Sequence, residues 1–406
     1  MKKLLSVVLA LLMLAVMLPV TAMAEGTNYC TIEGITEEDG TTLKHFDTLT
    51  AAAKAWRESN GIATSGGNFG SHPDELTIDS ISWVISGSVN SGDGTGVNGN
   101  NNNNGLLLSG GYVYPAVKAN SIYVKGVNNA ELKNEIGSDY ALSAAAKTVE
   151  YDGITFPEYV SFNTEAENVT FKNCTFKGGL KVMQAINVTV DNCKFEGDGS
   201  KDFAFFAQSV PANSMEAVQF KNNTVSSFMR GINVQADSTA TVSITGNTIT
   251  NLTGKDANGG KYGSAIQLTS GASFTVTDNI INIANGLNAF QLYERLTAEV
   301  TISNNKVTAD YLIWNQAPET TTISSADNTL NIKNANLANA KGELVPDETV
   351  INKTAPTQIV IITPAEDTPK TEPEKNPTTG ANDMVAAAAA LMAVSALGMA
   401  VLSRKK

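Results

Sequence analysis

An eight-residue pattern returns along the middle of the chain, and a chain that repeats at coil-length intervals buries its apolar face by stacking one repeat on the next. In register, the repeats are Val149–Phe156, Val169–Phe176, Val188–Phe195, Val218–Val225, Val242–Ile249, Phe274–Ile281, Val300–Val307 and, more weakly, Ile323–Leu330. Their sixth positions are Ile154, Cys174, Cys193, Asn223, Asn247, Asn279, Asn305 and Asn328, spaced 20, 19, 30, 24, 32, 26 and 23 residues apart. The pattern holds while the spacing varies, so each repeat is one coil and the surplus residues are loops.

Positions one, three and eight are mostly apolar and positions two and four mostly polar, the period-two alternation of a half-buried strand. Position five is Gly153, Asn173, Asn192, Asn222, Gly246, Asp278, Asn304 or Asp327. These residue types share a tolerance of positive φ, so a left-handed corner joining two strands is expected there, with position six turning inward. A stacked column of Asn can hydrogen-bond its amides from coil to coil, whereas a lone buried Asn would be costly. Cys193, Cys174 and Ile154 at the N-terminal end of the column read as apolar substitutes that need no amide partner. Coils about 4.8 Å apart bring the two cysteines within disulfide range, yet neighbours in a column run parallel and fit the dihedral poorly. Two free thiols are therefore expected, and the odd count of three cysteines, with Cys30, defines no disulfide framework.

This pattern resembles the pectate-lyase-like superfamily over about Glu75 to Ile332. The resemblance implies an all-β fold, a right-handed single-stranded parallel β-helix, here placed at residues 75–333. Leu76 to Val89 and Ser121 to Val127 read as degenerate early coils of that β-helix, preceded by a cap region at 25–74. In that region Phe46 to Trp56 sets Leu49, Ala52, Ala53 and Trp56 on one helical face, the natural cap for an open solenoid end. A further strand per coil appears as Phe203–Phe206, Gly231–Val234, Ala265–Leu268, Ala289–Leu292 and Leu312–Asn315. Gly92 to Gly105, with five consecutive Asn, is too long for a corner and is expected to be disordered. No Lys-Ser or Lys-Thr follows its glycines, so it is no phosphate loop.

The two ends carry addresses. Residues 1–24 have Lys2 and Lys3, an apolar stretch from Leu4 and Ala22-Met23-Ala24, the pattern of a cleaved signal peptide. Residues 334–375 are rich in Pro, Thr, Glu and Lys and read as a linker long enough to cross a cell wall. In 376–406, Asn376-Pro377-Thr378-Thr379-Gly380 precedes an apolar span at 384–402 and Arg404-Lys405-Lys406. That order resembles the sorting signal of Gram-positive sortase substrates, with Asn376 where the commoner pattern has Leu. The resemblance implies cleavage between Thr379 and Gly380, sortase and peptidoglycan as partners, and an extracellular, wall-attached location.

A net charge of -12 argues against nucleic acid, whose phosphates demand a basic surface. His45 and His72 precede the repeats without a companion, so no metal site is expected, and Ca2+ enters only if the chain is a lyase. Asp191, Asp198 and Asp202, with Lys194, Lys201 and Arg230 nearby, do not recur at one strand position and read as a solvated charged surface. No catalytic residue is assigned. Better ordered are Asn233, Gln267 and Gln291, which alternate with apolar residues and form an outward column flanked by Arg230, Tyr262 and Tyr293. Amides beside aromatic faces suit sugar hydroxyls. The expected protein is thus a monomeric, adhesin-like surface protein that binds a polysaccharide or a host or environmental ligand without cofactor. A polysaccharide lyase or glycoside hydrolase is the alternative. Replacing Thr379 and Gly380 should shift the protein from the wall to the medium or membrane fraction; retention on peptidoglycan boiled in detergent would refute the sorting assignment.

Overall fold

The computed structural model describes residues 28–61, 76–90, 117–133, 140–142, 146–209, 215–257, 260–270, 273–296, 299–317, 321–332, 336–338, 344–346 and 360–361. The signal peptide, the Asn-rich loop at 92–105, His72, the sorting signal and the span at 384–402 lie outside them. Among the described residues no helix is long and apolar enough to cross a membrane.

One parallel sheet winds around itself and presents three faces. On the first, position one of each repeat pairs with position one of the next: Val149, Val169, Val188, Val218, Val242, Phe274, Val300 and Ile323 follow one another coil by coil. Ile122 and Ile81 continue the column toward the N-terminus, so both degenerate early coils take their expected places. The second face follows the corner and stacks position eight, from Phe156, Phe176 and Phe195 to Val225, Ile249, Ile281, Val307 and Leu330. The first three rings stack at centroid distances of 5.2 and 4.9 Å. Each buried aromatic of this kind contributes about 1.5–3 kcal/mol through burial alone. On the third face Val160, Leu180, Phe205, Ile232, Ile266, Phe290 and Ile313 form the inner column.

Every position five has the expected left-handed backbone, with φ between 52° and 72° from Gly153 through Asp327. That turn interrupts the β ladder, and the Asn at position six repairs it. The N–H of Asn223 donates to Asn247 Oδ1 (2.9 Å), and Asn223 Nδ2 donates to the same oxygen (3.1 Å) and to Val190 O of the preceding coil (3.0 Å). Asn247 repeats the set on Asn279 Oδ1 (3.0 and 2.9 Å) and Phe220 O (2.9 Å). Asn279 does so on Asn305 Oδ1 and Ile244 O, and Asn305 on Asn328 Oδ1 and Val276 O. Each internal amide therefore uses both donors and both acceptor sites of its inventory, which is what burial requires.

The cysteines depart from the sequence reading. Rather than apolar fillers, they copy the amide's bonds with a weaker group: Cys193 Sγ lies 3.5 Å from Phe171 O and accepts the Cys174 N–H at 3.4 Å. Cys174 Sγ lies 3.5 Å from Tyr151 O, the same position-three carbonyl that the Asn side chains reach in later coils. A thiol is a weak donor and acceptor, so it can continue the ladder where Ile154 ends it. All three cysteines are free and buried.

The N-terminal edge is closed by Tyr29–Ile32, which runs antiparallel to Leu76–Asn90, and by a helix at Leu49–Ser59. The helix starts three residues after Phe46 because Thr48 caps it, accepting from the Ala51 N–H at 3.1 Å. Its buried residues are the expected Leu49, Ala52, Ala53 and Trp56, joined by Arg57. At the other end, the region read as linker begins with ordered pairing. Asn336–Ala338 and Leu344–Pro346 form a hairpin, and Val360–Ile361 adds a parallel strand to Thr329–Ile332. An unpaired last strand would leave a row of open backbone groups, and this addition covers part of it.

Asn247→Leu removes the donor for Phe220 O and the acceptor for the Asn223 N–H together, so it should cost about 3 kcal/mol. The outward Thr245→Ala should cost under about 0.5 kcal/mol. Equal melting temperatures for the two variants would contradict an inward amide ladder.

Candidate functional site

Alternation on the third face sends every residue between the inner apolar columns to the other side. Ile232, Val234, Ile266, Leu268, Phe290 and Leu292 are buried inward, and Asn233, Gln267 and Gln291 pair in register outside them. The column is as expected; its exposure is not. Asn233 is 3% exposed and Gln267 and Gln291 are 7% exposed, so the amides are covered rather than laid open as a platform.

Local hydrogen bonds account for part of this cover. The register slips between Leu268 and Ser270, leaving Thr269 as an extra residue whose Oγ1 donates to Asn233 Oδ1 at 2.8 Å. Gln291 Nε2 donates to Gln316 Oε1 at 3.0 Å, and Ser264 Oγ approaches Gln291 Oε1 at 3.5 Å. Gln267 sits between these two hydrogen-bonded amides, and its Oε1 is buried with no hydrogen-bond partner. Such an acceptor costs about 1–3 kcal/mol, and an orphan of this kind calls for an explanation. Beside it, Gly231 is forced by crowding, because a Cβ there would lie 2.1 Å from Ala265 O.

The flanking residues divide. Arg230 is engaged: its Nε and Nη2 grip Asp202 Oδ1 and Oδ2 at 2.6 Å each, while its guanidinium lies 3.8 Å over the Phe203 ring. Burial opposes ionisation of Asp202, but the hydrogen bonds and charge of Arg230, reinforced by Lys255, outweigh it and hold the carboxyl below its ordinary range. Tyr262 ends the second strand of a hairpin, Lys255–Ala257 with Gly260–Tyr262, and is 37% exposed. Tyr293 is half-buried, two residues beyond Gln291 on its strand.

Two residues passed over in the sequence extend the same column. Phe206 pairs with Asn233, and Trp314 pairs with Gln291. Trp314 was legible, since it is third in Leu312-Ile-Trp-Asn315 as Gln291 is third in Ala289-Phe-Gln-Leu292. Phe206 was hidden by a one-residue misalignment: the segment matching Gly231–Val234 is 204–207, not 203–206.

The acids are spent separately. Asp191 accepts from Asn222 Nδ2 at 3.0 Å, and Asp198 accepts from the Ser200 N–H and hydroxyl. Among the described residues no group of three or more His, Cys, Asp or Glu is placed to hold a metal. His45 stacks on Tyr29 at 3.7 Å within the cap. Burial pushes the Cys30 thiol up to about 12, with Asp47 adding to it, and burial with the Cys193 hydrogen bond raises Cys174. Thiols so raised are poor nucleophiles at neutral pH.

No curated protein and no solved structure matches the chain. A family model described as right handed beta helix region matches residues 95–281. Together with the parallel register of all three faces, this gives the coils between Leu76 and Ile332 the fold of a right-handed parallel β-helix.

Proposed function

We propose that this β-helix is a non-catalytic protein of the cell surface, exported, joined to peptidoglycan through Thr379 by a sortase, and acting as a monomer that binds a glycan on its third face. The observation that carries the binding reading is the in-register line of Phe206, Asn233, Gln267, Gln291 and Trp314 on this face. Amides are of the kind that pair with sugar hydroxyls, and the half-buried Phe206 and Trp314 offer flat apolar surface to sugar rings. An eliminating lyase needs a cation free to neutralise a uronate and a base near its α-carbon. Arg230, the cation nearest the column in sequence, is closed on Asp202 and Phe203, which favours binding over turnover.

The test compares Gln267→Leu and a Gln267→Ala, Gln291→Ala pair with the wild-type chain on a glycan array and in thermal melts. Gln267→Leu removes an unsatisfied acceptor, so its melting temperature should hold or rise, while both variants lose glycan signal; gain of stability with loss of function marks a site. Pectate and alginate should give no rise in unsaturated-product absorbance, with or without Ca2+. Turnover on either polymer, or binding indifferent to these substitutions, would refute the reading.

A further inference from the structure

Asparagine followed by glycine is a chemically weak point in a protein chain, because glycine has no side chain to keep its backbone nitrogen from the neighbouring carboxamide. The glycine nitrogen bonds to the asparagine Cγ, the bond from Cγ to Nδ2 breaks, and ammonia leaves with the proton the glycine gave up. The succinimide that remains takes up water and opens to aspartate or isoaspartate. Isoaspartate carries the main chain through the side-chain carbon and so lengthens it. The described residues contain this pair twice, at Asn60-Gly61 and Asn285-Gly286.

The two pairs are held differently. At the end of the cap helix Asn60 Nδ2 donates to Trp56 O at 2.8 Å and the Gly61 N–H to Glu58 O at 3.1 Å, both carbonyls of the same helix. The second pair is held by other coils. Asn285 Nδ2 donates to Leu252 O of the preceding coil at 3.3 Å, and the Gly286 N–H donates to Asp310 Oδ2 of the following coil at 2.6 Å. Both residues are left-handed, with φ of 69° and 75°, and Asn285 is exposed, so water reaches its carboxamide.

A carboxylate at the Gly286 N–H has two opposite effects on the reaction. As a base it would take the proton. As an acceptor it ties the nitrogen to the next coil, and its charge opposes the anion that forms on the carboxamide during attack. A peptide N–H is a far weaker acid than a carboxylic acid, so Asp310 is poorly matched as its base. A charge-assisted hydrogen bond of this length is among the stronger ones, and restraint prevails.

We infer that Asn285 is a deamidation site that the stack keeps closed, with Asp310 as the residue that closes it. The pair converts only when the corner between the two coils opens. Conversion would alter the chain just ahead of the strand Asn288–Arg295, which carries Gln291. Asp310 thereby preserves the register of the third face as the protein ages.

The experiment incubates the full chain and its Asp310→Ala and Asp310→Asn variants warm at neutral pH. Mass spectrometry of the Asn285 and Asn60 peptides then reads conversion of amide to acid and the share of isoaspartate. Asp310→Ala should speed conversion at Asn285 about tenfold, the scale set by a hydrogen bond to a charged group, and leave Asn60 unchanged. Asp310→Asn keeps a neutral acceptor for the Gly286 N–H and should fall between Asp310→Ala and the wild-type chain. The Asn60 peptide separates loss of this one contact from general loosening of the fold. A rate at Asn285 in Asp310→Ala equal to or below that of the wild-type chain, or a rise shared equally by Asn60, overturns the inference.

Discussion

A left-handed residue at each corner breaks the β ladder, and the amide of the next residue closes the gap. At one such corner the N–H of Asn222 reaches Thr245 O at 3.0 Å, the N–H of Asn223 reaches Asn247 Oδ1, and the N–H of Thr248 reaches Asn223 O at 2.8 Å. The carbonyl of Val190 is taken by Asn223 Nδ2. No backbone group of this set is left to water, which the interior would not supply. An Asn at position six satisfies these demands only if the coil above places its own Asn in the same column. Identity and register are thus mutually imposed, and a slip of one residue would orphan several groups at once.

Fixed register at the corner makes side chains pile into columns on every face. Loop insertions of variable length leave the columns intact, as between Asn247 and Asn279, which are 32 residues apart and still bonded. The third face inherits this order without using the ladder itself. Five side chains that are scattered over more than a hundred residues arrive in one line because each coil is locked to its neighbour at a corner elsewhere. The Cys174 and Cys193 coils show how much the lock can vary: a thiol still reaches the position-three carbonyl, at 3.5 Å where the amides reach theirs at about 3.0 Å or less.

Much of this was readable from residue types, because the demands are local. Only Gly, Asn and Asp suit the corner, so position five announced its φ, and alternating valines announced the first face. What could not be read depends on contacts between distant segments. The cover over Asn233 comes from a bulge at Thr269 and that over Gln291 from Gln316, neither of which leaves a periodic trace. Phe206 escaped because the aromatic run of Phe203, Phe205 and Phe206 offers two frames, and Ala204 rather than Phe203 stands opposite Gly231. Val360–Ile361 was absorbed into a Pro- and Thr-rich stretch whose average composition hides a short β-branched run. The helix boundary shifted for a more ordinary reason, the preference of Thr48 for the cap position.

The corner amides are the most direct place to measure whether the stack stands as described. Native-state hydrogen exchange reads the free energy of opening at single backbone sites. The N–H groups of Asn223, Asn247, Asn279 and Asn305, each donating to the Oδ1 of the next coil, should exchange only with unfolding of the whole stack, and all at one rate. If these four exchange quickly or independently of one another, as the N–H groups of a loop do, then the asparagines do not bind coil to coil and the ladder is not what holds the solenoid in register.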